Sequence, residues 1–241
     1  GKQRRYFDSK SASPLQLQFR ASSITQTHRD RGRLIQILDR HMRKFWKAQG
    51  QRIVDAVTKS GPGIDLKADF TDWPKEQEAL GTVLNQFYDA TGKRAFESFS
   101  SASGADLVWD VANPNVARIM DSLGLRIVGI HETTVTDVQE LIGSWAADGG
   151  SLQNLADQLG DLFEQTYKGR AMTVARTETQ VAYNTASALA YTESGVVDEV
   201  ELRDNVDHDD DYGASDGLTC AQRDGLVVPL ADVPLHVEAE H

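Results

Sequence analysis

The chain has 241 residues, of which 40% are hydrophobic, so it is long enough to bury one large core or two small ones. Its uninterrupted apolar runs fall well short of the roughly 18 residues that a membrane-spanning helix needs, so we expect a soluble protein with no membrane partner. The net charge is −11, and the single cysteine, Cys220, has no partner for a disulfide within the chain.

The charge is distributed unevenly. Residues 1–50 carry a net charge of +9, whereas the remaining residues carry −20. A basic end on an acidic protein indicates an anionic partner, although a basic helix would also be attracted to the acidic body of its own chain. The cations that we expect to contact an anionic partner are Lys2, Arg4, Arg5, Arg29, Arg31, Arg33, Arg40, Arg43, Lys44 and Lys47.

The N-terminal part of the chain is predicted to be helical after a short arm. Residues 1–22 show little periodicity, and we expect them to form an extended basic arm. Apolar residues then recur at helical spacing, which predicts a helix from about residue 24 to residue 58. Asp72 is expected to cap a second helix that has Pro74 in its first turn and ends near residue 100.

A run of small residues, SSASG at residues 100–104, predicts a linker. We therefore divide the chain into a helical N-terminal region, residues 23–104, and a C-terminal domain, residues 105–241.

The C-terminal domain is predicted to begin with a short helix. Asn113 followed by Pro114 is typical of a helix start, and this helix is expected to end at Gly124. The next six residues, LRIVGI at 125–130, are rich in β-branched side chains and favour a strand or an extended connector.

Three more helices are predicted before the C-terminal end. One runs from about Thr134 to residue 147 and ends at Gly149. Ser151 is expected to cap the next, and Gly169 is expected to separate it from a final helix that ends at Gly195.

The character of the sequence changes after Gly195. Apolar and polar residues alternate over residues 196–203, and several of them are β-branched, which predicts a strand. An acidic loop with DHDDD at 207–211 follows. Short apolar segments around residues 225–230 favour more strand. The predicted fold class is therefore α+β and predominantly helical, with long N-terminal helices followed by a helical domain that ends in a small β-rich segment.

The alanine-rich helix at residues 170–191 carries a charged residue where apolar residues are expected. On a helical wheel Glu178 falls within the apolar stripe of Val174, Val181 and Leu189. A buried carboxylate is costly unless it finds donors, so Glu178 needs an arginine or several N–H or hydroxyl groups. Glu178 could join this helix to its neighbours, with Arg176 doing the same on the opposite face. It could also act as an acid or base, or the helix could be less buried than its pattern indicates.

The same helix contains an ordered series of short motifs. These are Arg170-Ala171, VARTE at 174–178, AYN at 182–184 and Gly195-Val196. The series resembles the most characteristic segment of the phage Mu F-like minor head proteins, also called head morphogenesis proteins. The resemblance covers about residues 110–241, which identifies 105–241 as a head morphogenesis domain. The motif residues that it singles out are Arg170, Arg176, Thr177, Glu178 and Asn184.

The chain departs from the family pattern in its last part. The family commonly continues with a Thr-Cys-x-x-Cys segment, but Arg223 stands where the second cysteine is expected after Cys220. A zinc site built from Cys220 with His236 or His241 is a weaker hypothesis, the alternative being a small buried thiol with ordinary loop histidines. We expect no cofactor otherwise.

The resemblance implies a non-enzymatic minor capsid protein of a tailed bacteriophage. Such a protein would lie inside the head near the portal vertex, in several copies, after assembly in the host cytoplasm. Its expected partners are the portal protein, the major capsid or scaffold protein, and packaged double-stranded DNA held by the basic N-terminal segment. It would act in head assembly and in DNA packaging or ejection. The alternatives are a metal-dependent hydrolase or a transferase, and a non-specific DNA-binding module.

Overall fold

The computed structural model describes residues 14–60, 71–195, 197–201 and 227–230. The described part is predominantly helical, as predicted. Helix α1 spans Pro14–Ser60, α2 Trp73–Ser103, α3 Pro114–Asp148, α4 Leu152–Asp161 and α5 Tyr167–Ser194. A π-helical turn, Leu162–Thr166, joins α4 to α5. Strands β1, Glu199–Glu201, and β2, Val227–Pro229, form an antiparallel pair in which Val200 lies opposite Val228.

The ends of the helices follow the local sequence signals. The side chains of Asp72, Asn113 and Ser151 accept hydrogen bonds from the first turns of α2, α3 and α4. Gly104 and Gly149 end α2 and α3 in the left-handed conformation, with φ of 73° and 68°, which an L side chain rarely adopts. These caps confirm the predicted starts of the three helices and the predicted end at Gly149.

Three sequence predictions about element boundaries are wrong. Residues 14–22, expected to be extended, form the first turns of α1. Residues 125–130, expected to form a strand or connector, lie inside α3, which joins the two helices predicted on either side of them. Gly169, expected to separate two helices, lies within α5. At 125–130 tertiary packing overrides local propensity, because Ile127 is buried in the core and propensity is a weak determinant by itself.

Pairs of side chains define how the helices run. Asp30 and Arg52 of α1 contact Arg94 and Glu76 of α2, respectively, so these two helices are antiparallel. Contacts of α5 with α1 and with α3 show that it is antiparallel to both. Helices α1, α2, α3 and α5 therefore alternate in direction around one core.

The hydrophobic core is shared by helices from both sides of residue 104. It includes Trp46 of α1, Tyr88 and Phe96 of α2, Ile127 of α3 and Tyr183 of α5, each no more than 5% exposed. The predicted linker at 100–104 coincides with the end of α2, and the chain after it turns back so that Trp109 packs on Phe96 with ring centroids 5.3 Å apart. The division of the chain into two domains stays a prediction.

The π-helical turn adjusts the phase of the buried face that runs through α4 and α5. The buried residues Leu155, Leu159, Phe163, Tyr167 and Ala171 are each four positions apart. In a continuous α-helix a four-residue step drifts by about 40°, so this row would wind away from the core. A π-helical turn has more residues per turn and reduces the drift, which keeps the row directed at α1.

Among the described residues, no helix combines the length and hydrophobicity that crossing a lipid bilayer requires. Much of the predicted β-rich end falls at residues 202–226 and 231–241, which lie outside the described part of the chain.

Candidate functional site

Glu178 lies in the middle of α5 and is only 2% exposed. Its carboxylate accepts three hydrogen bonds from two other helices. Arg126 of α3 donates through Nε to Oε2 at 2.9 Å and through Nη2 to Oε1 at 2.8 Å. Tyr88 of α2 donates through its hydroxyl to Oε2 at 2.8 Å. The sequence prediction that Glu178 needs an arginine or hydroxyl partner is therefore confirmed, and the carboxylate joins α2, α3 and α5.

The electrostatics of this cluster favour the charged pair. The hydrogen bonds and charge of Glu178 raise the pKa of Arg126, although burial opposes the increase. Burial, followed by the neighbouring carboxylate, raises the pKa of the Tyr88 hydroxyl far above its usual value. Tyr88 is thus a permanent donor, and both carboxylate oxygens of Glu178 are occupied. Such a carboxylate is poorly placed to exchange protons with a substrate, because three of its four acceptor sites are already used.

Sequence reasoning missed both partners of Glu178. Arg126 was assigned to a strand or connector, so its helical face was not considered. In a helix, Arg126 lies on the same stripe as Ile119, Leu123 and Ile130, which are seven, three and four positions away. An arginine within an apolar stripe, like the glutamate in α5, is the signal that could have paired them.

Arg170, at the start of the motif, joins α5 to α3 and α1. Its guanidinium donates to Asp137 Oδ2 at 3.3 Å and to the carbonyl oxygen of Ile130 at 3.2 Å. It also lies over the rings of Trp46 and Tyr167, 5.5 and 5.3 Å from their centroids. These two rings stack with centroids 5.0 Å apart, so a cation–aromatic stack connects α1 to α5.

Asn184, near the end of the motif, is an anchor for α1. Its Oδ1 accepts a hydrogen bond from Arg31 Nη2, and Arg31 Nη1 donates to Gln180 Oε1 at 3.3 Å. The guanidinium also lies 4.9 Å from the centroid of the Tyr183 ring. Burial lowers the pKa of Arg31, which the nearby tyrosines partly offset. Arg31 therefore joins α1 to α5, and its predicted contact with an anionic partner stays a prediction.

The remaining motif residues do not take part in these contacts. Arg176 and Thr177 are exposed, and neither forms a hydrogen bond or ion pair with the described residues. The expectation that Arg176 ties its own face of α5 to a neighbour finds no contact among the described residues and stays a prediction. The structure brings Arg170, Glu178 and Asn184 into a row of interhelical contacts and leaves the other two in solvent.

Five of the predicted anion-binding cations form a basic stripe along α1. Taking Arg29 as zero on a helical wheel, all five fall within an arc of about 60°, and the row is about 27 Å long. All five are exposed, and none forms an ion pair with a described residue. The two acids in this part of α1, Asp30 and Asp39, are buried. The stripe consists of Arg29, Arg33, Arg40, Lys44 and Lys47.

The other predicted site residues divide into two groups. Arg43 is held by Asp39 at 2.8 Å, so it is less free than the stripe residues. Lys2, Arg4, Arg5, Cys220, His236 and His241 lie outside the described residues, as does the acidic loop at 207–211. Within the described residues no group of three or more histidine, cysteine or acidic side chains is arranged to hold a metal ion. The zinc hypothesis stays a prediction.

Comparisons of the chain with protein-family models, with curated proteins and with solved structures gave no match.

Proposed function

We propose that this protein is a minor head protein of a tailed bacteriophage, a structural component of the capsid interior near the portal vertex. It acts in head assembly and in DNA packaging or ejection. The observation that carries the proposal is the closed cluster of Glu178, Arg126 and Tyr88, which uses the most distinctive charged residue of the motif to join three helices. The sequence resemblance of the motif to the phage Mu F-like proteins supplies the biological context.

The geometry around Glu178 supports a scaffold over a reagent. A general acid or base needs an oxygen within reach of a substrate, but here both oxygens accept hydrogen bonds from Tyr88 or Arg126 and the Glu178 side chain is 3% exposed. Glu178 also does not line the groove of about 750 Å³ between α1 and the segment formed by α4 and the π-helical turn. Arg170 and Asn184 have the same type of interhelical role, so three motif residues support a fixed arrangement of helices.

The proposed partners are the portal protein, the major capsid or scaffold protein, and packaged double-stranded DNA. The basic stripe supports the DNA contact, because its exposed cations could neutralise phosphates along about 27 Å without reading the sequence. The acidic remainder of the chain repels DNA and would confine contact to this face. We also propose that each head contains several copies of the protein. The C-terminal end of each copy would be small and β-rich.

The proposal is tested on particles produced in cells that carry the complete set of head genes encoded with this chain. DNA-filled heads are purified on a density gradient, the chain and the portal protein are quantified by mass spectrometry, and the portal vertex is mapped by electron cryomicroscopy. We expect the chain in the head fraction at a fixed ratio to the portal protein, with density inside the vertex. A chain found entirely in the free protein fraction would overturn the proposal.

The basic stripe also favours a second candidate, a non-specific DNA-binding module that works outside a particle. The same fractionation separates the two functions. A module of this kind would be recovered on intracellular DNA and would be absent from purified heads, whereas a head protein would follow the heads.

A further inference from the structure

The outer face of α3 carries an exposed leucine in the middle of the helix. Leu125 is 68% exposed. On a helical wheel it lies about 160° from each of the buried residues Leu123 and Ile127, so it points away from the core. A Cβ atom added at Gly129, one turn further along this face, would meet no atom within 4 Å. The outer face of α3 is therefore open to a contact from outside the chain at this point.

Two charges of opposite sign flank Leu125 at equal distances. Arg118 lies seven positions before it and Glu132 seven positions after it. The three residues fall within an arc of about 40° on the wheel, and each charge is about 10.5 Å from Leu125 along the helix axis. Arg118 and Glu132 are both exposed, and neither forms an ion pair with a described residue.

This order of cation, leucine and anion is complementary to itself when it is reversed. A rotation of 180° about an axis through Leu125, perpendicular to the helix, exchanges the positions of Arg118 and Glu132. Two copies of the face can therefore meet so that each charge lies opposite its counter-charge. An interface of this kind, in which both copies use the same patch, is the commonest in symmetric oligomers.

We propose that this face of α3 binds the same face of a second copy of the chain, with the two α3 helices antiparallel and crossing at Leu125. The two Leu125 side chains pack against each other, and each Arg118 pairs with the Glu132 of the other copy. Asp121 falls opposite Gly129, so no like charges lie directly opposite each other. A crossing angle near 20°, as in helix bundles, keeps the charged side chains within reach.

The charges also select the direction of the contact. Two parallel α3 helices would place Arg118 against Arg118 and Glu132 against Glu132, and like charges across an interface are unfavourable. The inference rests on α3 and is independent of the head-protein proposal.

Sedimentation velocity of the full chain between about 1 and 300 μM tests for the dimer. We expect a reversible dimer, and Leu125→Glu should weaken it at least about tenfold without changing the circular dichroism spectrum. The control is Val108→Glu, because Val108 is 71% exposed but lies in the connection between α2 and α3. It should leave the dimer unchanged. A chain that stays monomeric throughout, or a dimer that Leu125→Glu does not weaken, would overturn the proposal.

Charge reversals test the antiparallel register. Arg118→Glu places glutamates opposite each other, and Glu132→Arg does the same with arginines, so each variant alone should dimerise at least about tenfold more weakly than the wild type. A one-to-one mixture of the two variants should recover the affinity, because in the mixed dimer every one of these positions faces an opposite charge. The double variant Arg118→Glu/Glu132→Arg should recover it as well.

The control for the change in net charge is Arg176→Glu, which reverses an exposed cation on α5 and should leave the dimer unchanged. Single variants that dimerise as tightly as the wild type, or a mixture that binds no better than either variant alone, would overturn the antiparallel contact.

Discussion

Arg126 and Glu178 form a bidentate ion pair between α3 and α5, with N···O distances of 2.9 and 2.8 Å. The Glu178 side chain is 3% exposed and the Arg126 side chain is 13% exposed. The two residues are 52 positions apart in the chain. The planar guanidinium matches the carboxylate geometry, so the pair fixes both the distance and the rotation of the two helices.

Replacing Glu178 by glutamine should strongly destabilise the fold. The amide cannot neutralise Arg126, which would be left as a buried, uncompensated charge. We expect a loss of about 3–5 kcal/mol in the free energy of unfolding. Urea denaturation followed by circular dichroism measures it. The control is Glu140→Gln, an exposed change on α3 that should stay within about 0.5 kcal/mol of wild type. A loss below about 1 kcal/mol for Glu178→Gln would contradict the structural role.

Replacing the whole cluster by apolar residues should cost much less than breaking it. In Tyr88→Phe/Arg126→Met/Glu178→Leu no charge is left unpaired, and we expect a stability within about 2 kcal/mol of wild type. If the cluster acts only as a scaffold, this variant should still enter heads. A stable triple variant that enters heads but gives inactive particles would instead indicate a chemical role for one of the three residues.

Gly50 should not tolerate even a methyl group. A Cβ atom added there would lie 2.5 Å from Phe163 Cγ, so α1 and the π-helical turn would have to separate. We expect Gly50→Ala to destabilise the protein by about 1–3 kcal/mol, measured by urea denaturation. At Gly129 of α3 an added Cβ meets no atom within 4 Å, so Gly129→Ala should stabilise the protein by about 0.5–1 kcal/mol. Similar effects at both positions would argue against the close approach.

His131 should make stability depend on pH. It is 5% exposed and packs edge-on against Trp73, and burial lowers its pKa more than Glu76 and Glu132 raise it. Below the unfolded pKa of about 6.5 the unfolded chain binds a proton that the folded protein binds less readily. The stabilising contribution of neutral His131 is therefore present above that pH and is lost as the pH falls through the lowered, folded pKa.

The measurement compares urea denaturation at pH 7.5 and at pH 5.5. We expect His131→Leu to lose less stability between these two conditions than the wild type does. His41→Leu, a change at an exposed histidine of α1, should leave the difference unchanged. An undiminished difference in His131→Leu would assign the pH dependence to other groups.

The basic stripe should bind duplex DNA in a salt-dependent way. Each phosphate contact contributes about −0.9 to the slope of log K against log salt concentration. Removing three cations with Arg33→Gln/Arg40→Gln/Lys44→Gln should therefore make this slope less negative by up to about 3, whatever the DNA sequence. Filter binding or anisotropy across a salt series measures it.

The charge-matched control is Arg118→Gln/Arg176→Gln/Lys75→Gln, which removes three exposed cations from outside the stripe. Its slope should equal that of the wild type. If both triple variants change the slope equally, net charge rather than the stripe determines binding.

The local features of this chain were predictable where a single residue type controls the backbone. Asp72, Asn113 and Ser151 cap helices, and Gly149 ends one, because these effects depend on neighbours within a few positions. The burial of Glu178 and its need for a donor also followed from its place in an apolar stripe. The identity of the donor did not, because the 52-residue separation from Arg126 is set by how α3 and α5 pack.

What the sequence did not show was where distant helices pack. The sequence at 125–130 has β-branched residues that suit a strand, but in α3 Ile127 is buried in a core built by distant helices, and burial outweighs propensity. Arg31 has the same formal charge as Arg33, yet it lies on the face of α1 that meets Asn184 and Gln180 of α5. Composition cannot distinguish an anchoring arginine from a solvent-exposed one when they are two positions apart.

The π-helical turn makes the number of residues between α4 and α5 more important than their identity. A π-helical turn holds about one residue more than an α-helical turn, so Leu162–Thr166 rotates the chain about 100° less than the same five residues in ordinary α geometry would. Converting the turn to α geometry without shortening it would therefore rotate Arg170, Glu178 and Asn184 away from their partners together. Deleting one residue at the same time would restore their phase. Natural variants that lack one residue of the turn should therefore keep the same bundle, with an unbroken α-helix from α4 into α5.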